Sequence, residues 1–292
     1  MGYSTYSTNN RSYRAKISGY YTSSVDETFA QQKERKAHES MLPKNALLRE
    51  CRDSDIHPFT VPIIMGLDVT GSMLNIPQDL IKDGLPTLMG NIIQRGVLDA
   101  SLMFLAIGDH ECDRFPLQVA QFESGDAELD MWLTRTYLEG NGGGNAGESY
   151  LLAYYYAARH VITDAWEKRH RKGFLFTIGD EPFLRTLPKS FINEMMDKST
   201  GIQSSLTIED LYKEVSEKYN VYHLHVNHNG RSIPKGWKDL LNQNCIEITD
   251  YTKIPQTIVD IVSNHPDAIY NNSSTNTNPK SEPGSPKSDI IL

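Results

Sequence analysis

Asp68, Thr70 and Ser72 stand at alternate positions directly after the apolar run Ile63-Ile64-Met65-Gly66-Leu67. A carboxylate and two hydroxyls, grouped where a buried strand leaves a sheet, form a set of hard oxygen donors. Such a set suits Mg, Mn or Ca and suits softer metals poorly. Asp180 closes a second apolar run, Phe174 to Ile178, in the same way, within Gly179-Asp180-Glu181-Pro182. Two carboxylates and two hydroxyls brought to one sheet edge repel one another unless a cation lies among them.

Two further stretches are candidates for the same site. Gly142 to Ser149 fits the G-x-x-x-x-G-x-S outline of a phosphate-cradling loop. Its lysine position holds Glu148, which repels phosphate, and a helix precedes it where that motif needs a strand, so the nucleotide reading fails. The stretch fits better as a loop that carries Asn145 and its backbone to a metal, with Glu148 or Ser149 as alternative donors and Gly143, Gly144 and Glu148 on the rim. The loop Asp109-His110-Glu111-Cys112-Asp113 reads as a solvated acidic turn. In a functional role it would sit beside the metal, where Asp109, His110, Glu111 and Asp113, with Glu181, contact a partner or hold a second cation. His223, His225 and His228 read as core or surface histidines, because a zinc site would need a third ligand beyond the two that share a strand face. Tyr154-Tyr155-Tyr156 reads as helix packing.

These residues need a scaffold, and the hydrophobic pattern supplies one. Residues 60–68, 102–107, 174–178, 221–226 and 244–248 read as strands. The first is apolar on both parities, as in a central parallel strand covered on two faces. Residues 117–122 return as an antiparallel strand after a tight loop. Helices are expected after Pro77 (Ile81, Leu85, Leu88, Ile92, stopped at Gly96), around Leu129, Trp132 and Leu133, over 149–163, after Thr207 (Leu211, Val215) and over 254–262. Strand–helix–strand units with short links make right-handed parallel crossovers. The order predicts an α/β fold: a doubly wound, mostly parallel central sheet with one antiparallel edge strand and helices on both faces. Ligands bind at the carboxyl ends of such strands, where Asp68, Asp109 and Asp180 all fall.

Three regions follow. Residues 1–57 form an N-terminal arm whose Tyr-, Ser- and Thr-rich start reads as extended, either disordered or docked through its tyrosines. A Ser24–Glu27 capping box then opens a helix to about His38, and 41–58 connect onward. Residues 58–268 form the α/β domain. Residues 269–292 read as a disordered tail.

Composition narrows the function further. The 292 residues carry a net charge of −8, while residues 1–58 hold +2 and 271–292 are neutral, so the middle is strongly acidic. That disfavours nucleic acid, whose affinity comes from neutralised phosphates, and favours cations or basic surfaces. No run of eighteen apolar residues predicts a membrane span. The polar start lacks a signal-peptide core, and Tyr6 breaks the myristoylation pattern that begins at Gly2. Cys51, Cys112 and Cys245 are odd in number and unclustered, which fits a reducing, cytoplasmic address.

Over about residues 58–266 the chain resembles a von Willebrand factor type A (vWA) domain with a metal-ion-dependent adhesion site (MIDAS). Asp68-Val69-Thr70-Gly71-Ser72 is similar to the family's Asp-x-Ser-x-Ser, with Thr for the first Ser, and Ile178-Gly179-Asp180 to its late aspartate motif. The forms DVTGSM and GDEP look like those of intracellular bacterial and phage members. The resemblance implies that Thr70 and Ser72 coordinate Mg (or Mn or Ca) directly, with Asp68 and Asp180 acting largely through water. A partner's Asp or Glu would complete the shell, giving a non-catalytic, metal-dependent protein–protein interaction module. Relatives imply assemblies containing an AAA-type ATPase or a kinase. The departure is Asn145, where the family usually has Thr, and a scaffold that has lost its metal is a further reading. The alternative is a haloacid-dehalogenase-like phosphohydrolase with Asp68 as nucleophile, since Asp68-Val69-Thr70-Gly71 resembles that motif as well. That chemistry needs a second carboxylate, a lysine and paired late aspartates, whereas the acid/base position is Thr70 and Asp180 is followed by Glu181-Pro182-Phe183.

Overall fold

Every residue of Val61–Asp68 is buried, and alternate side chains feed two separate cores. Ile63, Met65 and Leu67 face one and Ile64 the other, so this strand lies at the middle of a sheet covered on both sides. A computed structural model describes residues 4–19, 22–73, 75–140, 147–228 and 230–269.

In chain order the arm holds helices α1 (Thr8–Ile17), α2 (Val25–Thr28) and α3 (Ala30–Glu34), then strand β1 (Arg49–Cys51). The domain continues with β2 (Val61–Asp68), α4 (Ile76–Asp79), a π-helical turn at Leu80–Gly84, α5 (Leu85–Gln94), β3 (Ala100–Ile107), β4 (Leu117–Val119) and α6 (Asp126–Thr134). Next come α7 (Leu151–Arg159), β5 (Val161–Thr163), α8 (Asp164–Arg169), β6 (Gly173–Gly179), β7 (Thr186–Leu187), α9 (Lys189–Met195) and β8 (Leu206–Thr207). The described chain closes with α10 (Ile208–Lys218), β9 (Tyr219–Val226), α11 (Lys235–Leu241), β10 (Cys245–Ile248) and α12 (Ile254–Asn264).

The main sheet has six strands in the order β10-β9-β6-β2-β3-β4, all parallel except the edge strand β4. Helices α5, α6 and α12 cover one face, and α7, α10 and α11 the other. This is the doubly wound α/β architecture expected. Among the described residues no helix is long and apolar enough to cross a membrane.

Four local expectations need correction. The start of the arm is helical and docked, not extended. Arg11 donates to Asp130 Oδ1 at 3.2 Å and to the Lys82 carbonyl at 2.7 Å, Arg14 pairs with Asp126 and Asp130, and Ser7 N–H donates to Asp126 at 3.1 Å. The Lys82 carbonyl lies 71 residues away and the aspartates over a hundred, so composition alone misses them. The helix expected over 24–38 breaks at Phe29, whose extended backbone (φ −106°, ψ 90°) drives a fully buried ring into the core. The Ser24–Glu27 capping box is present. The helix expected over 149–163 ends at Arg159, because the β-branched Val161-Ile162-Thr163 pairs in parallel with β1, a strand inside the stretch read as a connector. The return strand is shorter than 117–122, although Glu123 bridges back to Leu102.

Arg11 is 5% exposed and fixed from two sides. Arg11→Ala is expected to lower stability by about 1–3 kcal/mol, since it leaves the buried Lys82 carbonyl without this donor and Asp130 with Arg14 alone; urea denaturation measures this. Loss below about 0.5 kcal/mol would show that the arm is not part of the cooperative unit.

Candidate metal centre

From β2 the chain winds outward to β3 and β4 on one side and to β6, β9 and β10 on the other. The gap between the carboxyl ends of β2 and β6 is therefore the topological switch point, where such sheets bind ligands. Asp68 ends β2 and Asp180 follows β6 directly. Asp68 is fully buried, and Thr70 and Asp180 are nearly so.

Each hydroxyl in the first loop spends its proton on a carboxylate. Thr70 Oγ1 donates to Asp68 Oδ1 at 2.6 Å, joined there by Thr70 N–H at 2.9 Å. Ser72 Oγ donates to Asp180 Oδ1 at 2.8 Å. The two hydroxyl oxygens lie 3.4 Å apart with lone pairs left over. Adjacent oxygens of an octahedral Mg shell, with ligands at about 2.1 Å, are about 3 Å apart. Asp68 Oδ2 accepts from Tyr150 OH at 2.8 Å, so both of its oxygens are held by protein donors. Asp180 Oδ2 accepts from His228 Nε2 at 3.1 Å.

The neighbouring loops knit onto this frame. Val69 N–H donates to Ile107 O, Gly140 N–H to Val69 O, Ser149 N–H to Gly108 O and Glu148 N–H to Pro182 O. The Glu148 carboxyl lies close enough to Thr70 and Asp68 to feel both, so the glycine-rich segment reaches the site through this side chain. Ser149 does not serve it, for its hydroxyl faces His110, accepting from the backbone N–H at 2.8 Å and lying 2.7 Å from Nδ1. Asn145, Gly143 and Gly144 lie outside the described residues.

The acidic turn is only partly solvated. Glu111 and Cys112 are exposed, but Asp109 is fully buried. Asp109 Oδ1 accepts from Glu111 N–H at 2.8 Å, and Asp113 Oδ2 accepts from Asp109 N–H at 2.7 Å. Glu181 sits on the rim, paired with Arg231 at 2.5 Å.

This corner of the molecule is short of positive charge. Burial, followed by the charges of Asp68, Asp109 and Asp113, pushes Glu148 up to about 9. Burial, with a further contribution from Asp180, pushes Asp68 up to about 7. Asp113 and Glu139 are raised as well, chiefly by burial. Glu148 Oε2 and Asp109 Oδ2 are buried and have no hydrogen-bond partner among the described residues. Among the described residues no three His, Cys, Asp or Glu side chains converge as ligands. The donor set is instead two hydroxyls with carboxylates behind them. Its hard oxygens and uncompensated charge fit Mg, Mn or Ca.

Tyr150 and His228 are the contributors that sequence reasoning missed. Tyr150 opens a helix beside Tyr154, Tyr155 and Tyr156, and its type and spacing do not separate it from them. By sequence His228 is not separable from His223 and His225, which are core residues. His223 stacks on Trp237 (3.6 Å between centroids, 8° between planes) and meets Thr177 Oγ1 at 2.9 Å. Burial lowers both histidines, which favours the neutral ring.

Gly179 is required by close approach. A Cβ there would lie 1.8 Å from Tyr150 OH and 2.9 Å from Asp68 Oδ2. Gly179→Ala is expected to displace Tyr150 and abolish the metal response of the melting temperature; an unaltered response would mean that the Tyr150–Asp68 contact is dispensable.

No protein-family model and no curated protein matches the chain. Solved structures do. Proximal thread matrix protein 1 from the mussel byssus is 9% identical over 73% of this chain and 48% of its own, with a TM-score of 0.48. The pilus adhesin SpaC from Lactobacillus rhamnosus GG is 7% identical over 74% of this chain and 30% of its own, with a TM-score of 0.46. A von Willebrand factor type A structure from Catenulispora acidiphila is 12% identical over 70% of this chain and 42% of its own, with a TM-score of 0.37. This chain spans less than half the length of each. Likeness at this level carries no argument about the site, which rests on the geometry above.

Proposed function

We propose that the chain is a divalent-metal-dependent protein-interaction module of the vWA type, built around a MIDAS-like centre. One observation carries this reading. Thr70 and Ser72 each direct a hydroxyl proton into a strand-terminal carboxylate, leaving two oxygens 3.4 Å apart to face a common ion. Thr70 and Ser72 would hold the metal directly. Asp68 and Asp180 fix those hydroxyls from behind and supply balancing charge, and Glu148 takes the glycine-loop position. When bound, the cation supplies an open coordination position with a strong preference for a carboxylate oxygen. Tyr150 and His228 orient the two aspartates.

The phosphohydrolase alternative needs an Asp68 oxygen open to substrate. Asp68 is fully buried with both oxygens hydrogen-bonded, which favours the anchoring role. The partner would present an Asp or Glu, and no reaction is assigned to the site.

The test is thermal melting of the purified protein with Mg or Mn against chelator. A rise of several degrees at saturating metal supports the reading, because a ligand at 100 times its Kd adds about 2.7 kcal/mol. No rise with either metal overturns it.

A further inference from the structure

Beside the acidic loop lies a groove of about 240 Å³. Leu42, Phe115, Phe191 and Met195 form its apolar walls, all half-buried, and Lys44 and Arg114 stand exposed on its border. The groove is joined to the metal centre by contact. The Phe191 ring packs on His110 (5.1 Å between centroids), and His110 is hydrogen-bonded to Ser149, next to Glu148. Arg114 and Phe115 belong to the same β3–β4 loop as Asp109 and Asp113.

Charge singles out what fits there. The chain has a net charge of −8, and its metal centre is lined by carboxylates. An acidic partner is repelled over most of such a surface. Near the site, Arg231 is neutralised by Glu181 and Arg185 by Glu209. Among the described residues neither Lys44 nor Arg114 enters an ion pair; Arg114 rests over the Phe115 ring at 5.1 Å. Glu194 also lines the groove and likewise forms no ion pair among the described residues. The Arg114 charge reaches the Glu139 carboxyl and the Tyr137 hydroxyl only by longer range. Two cations outside any such ion pair, beside apolar walls, suit a chain that alternates carboxylates with a bulky apolar side chain, and the pliable Met195 side chain can adjust to its shape.

We infer that this groove receives an acidic partner segment, seating one bulky apolar side chain between Phe115 and Phe191 while Lys44 and Arg114 pair with its carboxylates. The inference rests on the metal-dependent reading for where the partner's metal-bound carboxylate goes, and it adds the partner's flanking chemistry.

The test uses the full chain and three fluorescein-labelled hexapeptides read by anisotropy in Mg: Ser-Asp-Leu-Phe-Asp-Ser, the same peptide with Lys for Asp, and the same with Ser for Leu and Phe. The first is expected to bind most tightly. The double variant Lys44→Glu/Arg114→Glu should weaken it at least about tenfold, and Phe191→Ala should weaken it while sparing the Mg-dependent melting rise of the protein. No binding of the first peptide, equal binding of the lysine peptide, or an unchanged affinity in the double variant overturns the inference. In each of those cases an intact Mg-dependent melting rise shows that the metal reading survives. Absence of that rise in wild type marks failure of the metal reading itself.

Discussion

Asp68→Asn loses the Mg-dependent rise in melting temperature, yet in chelator at pH about 8 the variant melts above wild type. The two halves have opposite signs because Asp68 has opposite worth with and without a cation. Without one it is a fully buried carboxylate, pushed up to about 7 by burial with Asp180 adding to it, so ionising it above that pH opposes folding. Asn keeps the shape and one acceptor for the Thr70 hydroxyl and N–H. Its amide can also donate to the Tyr150 oxygen, which accepts as readily as it donates. The gain in chelator should be on the order of 1–3 kcal/mol. With metal, the variant lacks the charge that balances the ion and fixes Thr70, so the rise should vanish. Asp68→Ala also loses the rise, but leaves Tyr150 OH buried and unpaired and should melt below wild type in chelator. Scanning calorimetry on the three proteins, each with and without Mg, separates the cases. An Asn variant that still responds to Mg would remove Asp68 from the site.

The contrast between these variants reflects what was readable in the sequence. Asp68, Thr70, Ser72 and Asp180 were legible because strand ends announce themselves: an apolar run stops, and the next polar residue must emerge at the sheet edge. The parallel order followed from the same runs, and with it the switch point that brings β2 and β6 together. Tyr150, which makes the Asn and Ala substitutions differ, was not legible. It is one of four tyrosines within seven residues, and only the approach of Gly179 places its hydroxyl on Asp68. Docking of the arm was one of the two readings, but its helix and its arginine contacts escaped for a similar reason. Arg11 and Arg14 sit in a sequence poor in aliphatics, and nothing local reveals that Asp126 and Asp130 wait on another helix. Glu148 lay between: its place after the glycines excluded phosphate, but its contact with Thr70 depends on a tertiary turn.

Glu148 also sets the pH response of the metal-free protein, which should lose stability between about pH 7 and about pH 9. Its usual value is 4.5, and burial with the neighbouring Asp68, Asp109 and Asp113 charges pushes it up to about 9. A carboxyl raised in the folded state keeps its proton there while the unfolded chain has released it. Its contribution is therefore complete below about 4.5 and is lost as pH climbs through about 9. The choice of window matters, because other groups pull the opposite way lower down. His38, His110, His160, His223 and His225 are all lowered by burial, so they add stability as pH rises towards 6.5. Asp164, lowered to about 2 by Lys168 and Arg52 against the pull of its own burial, has contributed fully well before that. Above about 7 these terms are constant, and the raised carboxyls govern the slope until, near pH 9, the buried Cys51 and Cys245 thiols, pushed up to about 12, add to the fall. The fall should be on the order of 1–3 kcal/mol. Glu148→Gln should flatten it, and saturating Mg should do the same in wild type, since a bound cation stabilises the ionised carboxylates that burial opposes. Urea denaturation across this range, with chelator and with Mg, measures both. A slope that persists unchanged in Glu148→Gln would assign the titration to another group, and one that Mg leaves untouched would mean the cation does not bind among these carboxylates.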